Sequence, residues 1–164
     1  MFATLVYLAA LVLANLSVAT FGPVVTPINA FLLIGLDLSL RDYLHERWQH
    51  NHLWLRMLGL IASAGALSWL LNPASGLIAI ASVVAFTASS LVDTAVYHLL
   101  RRKPYLVRSN SSNTAAAAVD SILFPSIAFG GFLPLIVLGQ FAAKVAGGFL
   151  WSLLLARIAA RRIA

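Results

Sequence analysis

The chain has 164 residues, 61% hydrophobic and only 10% charged, with a mean hydropathy of +0.92. A soluble domain carries about 25% charged residues, so this chain cannot cover a water-facing surface of ordinary polarity; it is expected to be an integral membrane protein. It has a net charge of +6 and no cysteine, which excludes disulfides and thiolate metal sites.

A helix that crosses the hydrocarbon needs about 20 mostly apolar residues. The first such run covers 2–21 and stops at Gly22-Pro23; it lacks a basic leading segment and reads as a retained span rather than a signal peptide. The second covers 27–47. The third covers 53–71 and is stopped by Asn72-Pro73. The fourth, 74–100, runs into Arg101, Arg102, Lys103 and Pro104. The fifth is expected to start near Thr114, after the polar stretch 108–113, and to reach Gly130-Gly131; the sixth covers 133–158. The expected fold is therefore all-α, a single transmembrane domain of six helices over 1–164.

Lys and Arg set the orientation, because they collect on the cytoplasmic side. Arg41, Arg47 and Arg56 flank the second connection. Arg101, Arg102, Lys103 and Arg108 fill the fourth, and Arg157, Arg161 and Arg162 end the chain. The other connections hold no Lys or Arg, and Lys144 is the one basic residue of the 11 outside this set. Both termini are therefore expected in the cytoplasm. The basic residues form short clusters beside apolar runs, which fits a lipid-facing flank and not a nucleic-acid surface.

Several polar groups fall inside the expected spans: Asn15 in the first, Asn29 and Asp37 in the second, Asp93 in the fourth, Asp120 in the fifth and Lys144 in the sixth. A charge at the bilayer centre costs about 2.5–3.5 kcal/mol on insertion scales, so such groups belong in the bundle interior, paired or lining a polar cavity. Asp120 and Lys144 lie on consecutive antiparallel helices and suit an ion pair; a structural role and a direct role at a site both remain open. Asp37 and Arg41 are four apart on one helix face, so Arg41 is expected to fold back onto Asp37. Asp42 and Glu46 form a second stripe, read as interfacial and either solvated or paired with Arg47 or Arg56.

In the stretch 108–120, Ser111, Ser112 and Asn113 read as N-caps of the fifth helix, whose free N–H groups can hold an acceptor. His45, His50 and His52 do not have the spacing of a helical zinc motif, and interfacial histidines are the default. No phosphate loop, nucleophile elbow or hydrolase carboxylate pair is present, so neither catalysis nor a cofactor is expected. The small-residue run Ala62 to Ala66 suits close packing within the chain or a homodimer seam.

The segments LVLANLSVATFGP, INAFLLIGLDLSLRDYLHERW, SSLVDTAVYHLLRRK and RSNSSNTAAAAVDSILFPSIAFGG together resemble the queuosine precursor transporter family, also called the VUT family. The resemblance covers most of the chain. It implies a multi-pass protein of a prokaryotic inner membrane that imports 7-cyano-7-deazaguanine, or a related 7-deazapurine base, for tRNA queuosine synthesis. Such a base is flat and neutral, with N–H donors along one edge. The residues it points to as substrate ligands are Asp93 and Asp120, with Asn113 and Ser112 beside them. Asp37 and Arg41 come next, then Lys144, Asn15 and a stacking ring such as Phe124. Arg41 is alternatively a gate at the cytoplasmic mouth. The competing expectation is a membrane substrate-binding subunit served by a separate ATPase module.

Overall fold

The computed structural model describes residues 2–48 and 52–161. Those residues are helical almost throughout, with no strand among them, and form six rods joined by tight turns. The first rod is α1, Phe2–Phe21. The second is continuous but composite: α2 (Thr26–Asn29), a π-helical turn (Ala30–Ile34) and α3 (Gly35–Trp48). The remaining four are α4 (Leu53–Leu71), α5 (Gly76–Leu99), α6 (Tyr105–Ala128) and α7 (Pro134–Arg161).

Gly22 ends α1 with φ +70°, a left-handed conformation that an L side chain resists, and Pro23 prevents the helix from resuming in register. The 3-10 turn Gly22–Val25 then sends the chain back along α1. Asn29 clamps this reversal, its Nδ2 donating to Ser17 Oγ (2.6 Å) and to the Ala14 carbonyl (3.3 Å). At the other turn of the expected hydropathy pattern, Asn72 caps with its side chain, accepting from the Ala74 N–H at 3.1 Å.

Four stretches among the described residues are long and apolar enough to cross a membrane: Phe2–Leu44, Leu53–Leu71, Pro73–Leu99 and Pro134–Leu154. The first of these is the folded-back hairpin, so it supplies two antiparallel rods. The rod outside this set is α6, whose Ser and Asn residues lower its hydropathy. It also starts nine residues before the expected Thr114, at Tyr105, with Pro104 at its cap. The polar stretch enters the helix because its side chains bond back onto their own turns. Asn110 Nδ2 reaches the Leu106 carbonyl (2.7 Å), Thr114 Oγ1 the Asn110 carbonyl (2.8 Å) and Ser112 Oγ the Ser109 carbonyl (3.2 Å). The N-cap role expected for Ser111, Ser112 and Asn113 is thereby overturned, along with the anion-holding helix terminus it implied.

Large apolar side chains cover the outside of the bundle. On α4, for example, Met57, Ile61, Ala64, Gly65 and Ser68 form one buried stripe, while Leu55, Leu58, Leu70 and Leu71 face outward. The stripe splits the Ala62–Ala66 run. Gly65 packs so close to α5 that a Cβ would lie 2.8 Å from Val83 Cγ2, whereas Ala62, Ser63 and Ala66 face out. The ends of the rods sort by charge. A groove lined by Ala3, Thr4, Leu44, Arg47, Trp48 and Arg56 joins the start of α1 to the end of α3 and the start of α4. Arg56 stacks 5.5 Å from the Trp48 ring, and Arg108 packs 4.4 Å over Tyr97 where α5 and α6 meet.

The second rod meets α7 backbone to backbone. A Cβ on Gly147 would sit 2.2 Å from the Phe31 carbonyl oxygen, and one on Gly35 would sit 2.7 Å from Gly147 C. Ser39 Oγ continues the seam, 3.2 Å from both the Gly148 carbonyl and Ser152 Oγ. The π-helical turn lies at this crossing. Gly147→Val is expected to cost about 1–3 kcal/mol or more through overpacking, read as a lowered thermal midpoint in detergent. Gly139→Ala meets only Pro27 Cγ at 3.8 Å and is expected to unfold like the parent.

Candidate functional site

Two buried polar networks occupy the bundle interior, one toward the Gly22–Val25 turn and one toward the basic end. The first is built on α6 and α7. Lys144, 2% exposed, spends all three ammonium protons: on Asp120 Oδ2 (2.5 Å), on Gln140 Oε1 (3.0 Å) and on Ser121 Oγ (3.2 Å). The helical spacing explains the set, since Gln140 lies one turn before Lys144 and Ser121 is adjacent to Asp120. Of the two readings held open for Asp120 and Lys144, the ion pair is present. It does not exhaust the groups: Asp120 Oδ1 and Gln140 Nε2 are buried without a hydrogen-bond partner.

Asp120, Gln140 and Lys144 line a cavity of about 30 Å³. Its other walls include Asn15, Asn29, Phe86 and Phe124, with Ala14, Val18, Thr26, Ala30, Ile34 and Ser82. Asn15 is held by Nδ2 donation to Ser68 Oγ (3.1 Å), and Phe124 by an edge-to-face contact with Phe129, centroids 6.2 Å apart. Small-molecule pockets are about 300–1,000 Å³, so in this conformation the rods are closed around the site. The cavity thus gathers four of the expected residues: Asp120, Lys144, Asn15 and Phe124. Gln140, Ser82 and Phe86 join them and were not anticipated. Gln140 carries the one readable signal, an amide at one helical turn from an intramembrane lysine.

The second network joins α3, α5 and α6. Arg41, also 2% exposed, donates from Nη1 to Ser90 Oγ (3.1 Å) and Ser89 Oγ (3.4 Å), and its Nε lies 3.5 Å from Asp93 Oδ2. The expected fold-back of Arg41 onto Asp37 is therefore not found. A guanidinium has five donors, and the α5 face Ser89-Ser90-Asp93 offers more acceptors than one carboxylate a turn behind. The interfacial reading of Asp42 is also corrected. Asp42 is 1% exposed and accepts from the Ser109 hydroxyl and from Asn113 Nδ2 (3.1 Å), not from Arg47 or Arg56. The early start of α6 brings Ser109 and Asn113 to it. Ser112 is fully buried on the same helix, with its hydroxyl spent on its own backbone. The side chains of His45 and Glu46, and all of His50, lie outside the described residues.

Asp37 sits between the two networks. It is fully buried and neither oxygen has a hydrogen-bond partner. The hydroxyl of Tyr7, itself fully buried, lies beside it without forming a regular hydrogen bond.

A family model described as "Putative vitamin uptake transporter" matches residues 2–159. No curated protein and no solved structure matches the chain.

Proposed function

The chain belongs to the vitamin uptake transporter family, and from that membership we propose that it imports a queuosine precursor, 7-cyano-7-deazaguanine, across the cytoplasmic membrane of a prokaryote. The observation that carries this reading is the pairing of one unused acceptor, Asp120 Oδ1, with one unused donor, Gln140 Nε2, in a cavity walled by Phe86 and Phe124. A deazaguanine presents N–H donors and a carbonyl on one edge. Asp120 accepts from the donors, Gln140 donates to the carbonyl, and Phe124 stacks on the ring face. Lys144 holds the Asp120 carboxylate in place at the cavity wall.

All six rods cross the bilayer in this reading. α6 does so with its polar face turned inward, where Asp42, Lys144 and Arg41 meet it or its neighbours. The basic end faces the cytoplasm under the positive-inside rule. The cavity then lies toward the outer side. Arg41, Asp93, Asp42 and Asn113 close the path to the cytoplasm and separate when the rods rock apart to pass the base. Asp93 and Asn113 act in that closure rather than as the first ligands.

The test is uptake of labelled 7-cyano-7-deazaguanine by cells that cannot make the precursor. Expression of the chain is expected to raise accumulation about tenfold or more over vector. Background uptake with the protein present in the membrane overturns the reading.

A further inference from the structure

Among the described residues the interior holds four carboxylates, Asp37, Asp42, Asp93 and Asp120, and two cations, Arg41 and Lys144, none more than 5% exposed. Three of the acids have partners. Asp120 has Lys144, Asp93 has Arg41, and Asp42 has the hydroxyl and amide donors of α6. Asp37 has none.

Every side of Asp37 that carries charge can be named. From α1 it is faced by the Tyr7 hydroxyl, from its own helix by Arg41, from α5 by Asp93 and from α6 by Asp120. On α7, Lys144 has its donors committed to Asp120, Gln140 and Ser121. Arg41, the cation that acts on Asp37, is held by α5, and Asp93 and Asp120 carry the same sign as Asp37. An ionised carboxylate with no cation of its own and a single hydroxyl beside it costs several kcal/mol to bury. A single proton removes that charge and supplies a donor in its place.

Ile34, one turn before Asp37, lines the cavity, and Arg41, one turn after it, heads the closing network. On the importer reading, parting of the outer rods exposes Asp37 to the cavity side, and release of Arg41 from α5 exposes it to the cytoplasm. A group that exchanges protons with one side at a time is the minimum device for coupling.

We propose that Asp37 binds a proton that crosses with the substrate, so that this chain is a proton-coupled importer. The inference rests on the importer reading for its cargo but not for its proton site, and two measurements separate them.

The first uses purified protein in lipid, without substrate. Infrared difference spectra are expected to show the carbonyl stretch of a protonated carboxylic acid, lost in Asp37→Asn and shifted in frequency in Tyr7→Phe. Absence of the band in the parent chain, or its unchanged presence in both variants, overturns the proposal. Tyr7→Phe keeps the test decisive should Asp37→Asn fail to fold.

The second uses liposomes and labelled 7-cyano-7-deazaguanine. One proton per base predicts about tenfold accumulation per unit of inward pH gradient, and in Asp37→Asn the ratio of uptake with and without the gradient falls to one. Exchange of the base that ignores the gradient overturns proton coupling and leaves the importer reading standing. An Asp37 band with no transport of this base overturns the choice of substrate and supports the proton site.

Discussion

Replacing Lys144 with methionine is expected to lower stability by about 3–5 kcal/mol and to abolish uptake. The substitution keeps an unbranched side chain one atom shorter but strands the Asp120 carboxylate among buried groups, and stranding one partner of a buried pair is what costs that much. It also frees Gln140 Oε1 and Ser121 Oγ, the other two acceptors of the ammonium. The double variant Lys144→Met with Asp120→Asn removes both charges and is expected to recover most of the thermal stability without recovering transport. Asp120→Asn alone is expected to fold less stably than the double variant, because it leaves the ammonium without its carboxylate. Thermal unfolding in detergent and uptake of the labelled base separate the two effects. Recovery of transport in the double variant would show that the pair is only structural and that the cavity does not read the base through Asp120.

The second large effect is expected at Arg41. Arg41→Met leaves Asp93 without its cation and unties α3 from α5, at a cost of about 3–5 kcal/mol. Arg41→Lys keeps a charge opposite Asp93 but loses the planar fork that sets Nε against Asp93 while Nη1 reaches Ser89 and Ser90, so it is expected to fall between the parent and methionine. Gating adds a readout that stability alone does not move. The chain has no cysteine, so Ser112→Cys introduces a single thiol at a position that is fully buried. Its labelling by a membrane-impermeant maleimide from the basic end is expected to be slow in the Arg41 background and at least about tenfold faster with Arg41→Met, a shift worth about 1.4 kcal/mol in the open population. Equal labelling rates in folded protein would show that Arg41 stitches the helices together without closing a path.

Hydropathy and stop residues were enough to place most rods. Gly22-Pro23 and Asn72-Pro73 end helices for local reasons: a left-handed glycine, an absent N–H, a side chain that caps its own turn. These devices act within a few residues, so the order of residues suffices to recognise them. The start of α6 was not legible in this way. Ser and Asn in a row suggest a cap when read locally, yet packing on α5 and the bonds of each side chain to the turn before it make the same residues helical. The misplaced start carried over to the site, because Ser109 and Asn113 reach Asp42 only from inside a helix.

The Asp120–Lys144 pair was legible because consecutive antiparallel helices place equal depths side by side. Arg41 was not. A helix face offers a residue two kinds of partner, one turn along its own rod or across to another, and spacing in the sequence records only the first. The fold brings Ser89, Ser90 and Asp93 of α5 within reach of the guanidinium, and Arg41 bonds across to them. The same choice left Asp37 alone with Tyr7, a residue nothing in its own neighbourhood singles out.

By itself, then, the order of amino acids determined that the chain is a membrane protein built of helices, where most of those helices stop, which end is basic, and that charges lie inside. Each follows from the free energy of moving single residues or short runs between water and hydrocarbon. Only the tertiary structure decided which buried charges hold one another, which polar atoms are left over at the cavity, and which carboxylate has no partner. Those outcomes depend on distances between side chains on different rods, and a buried ion or amide takes its energy from the few atoms within about 3 Å of it.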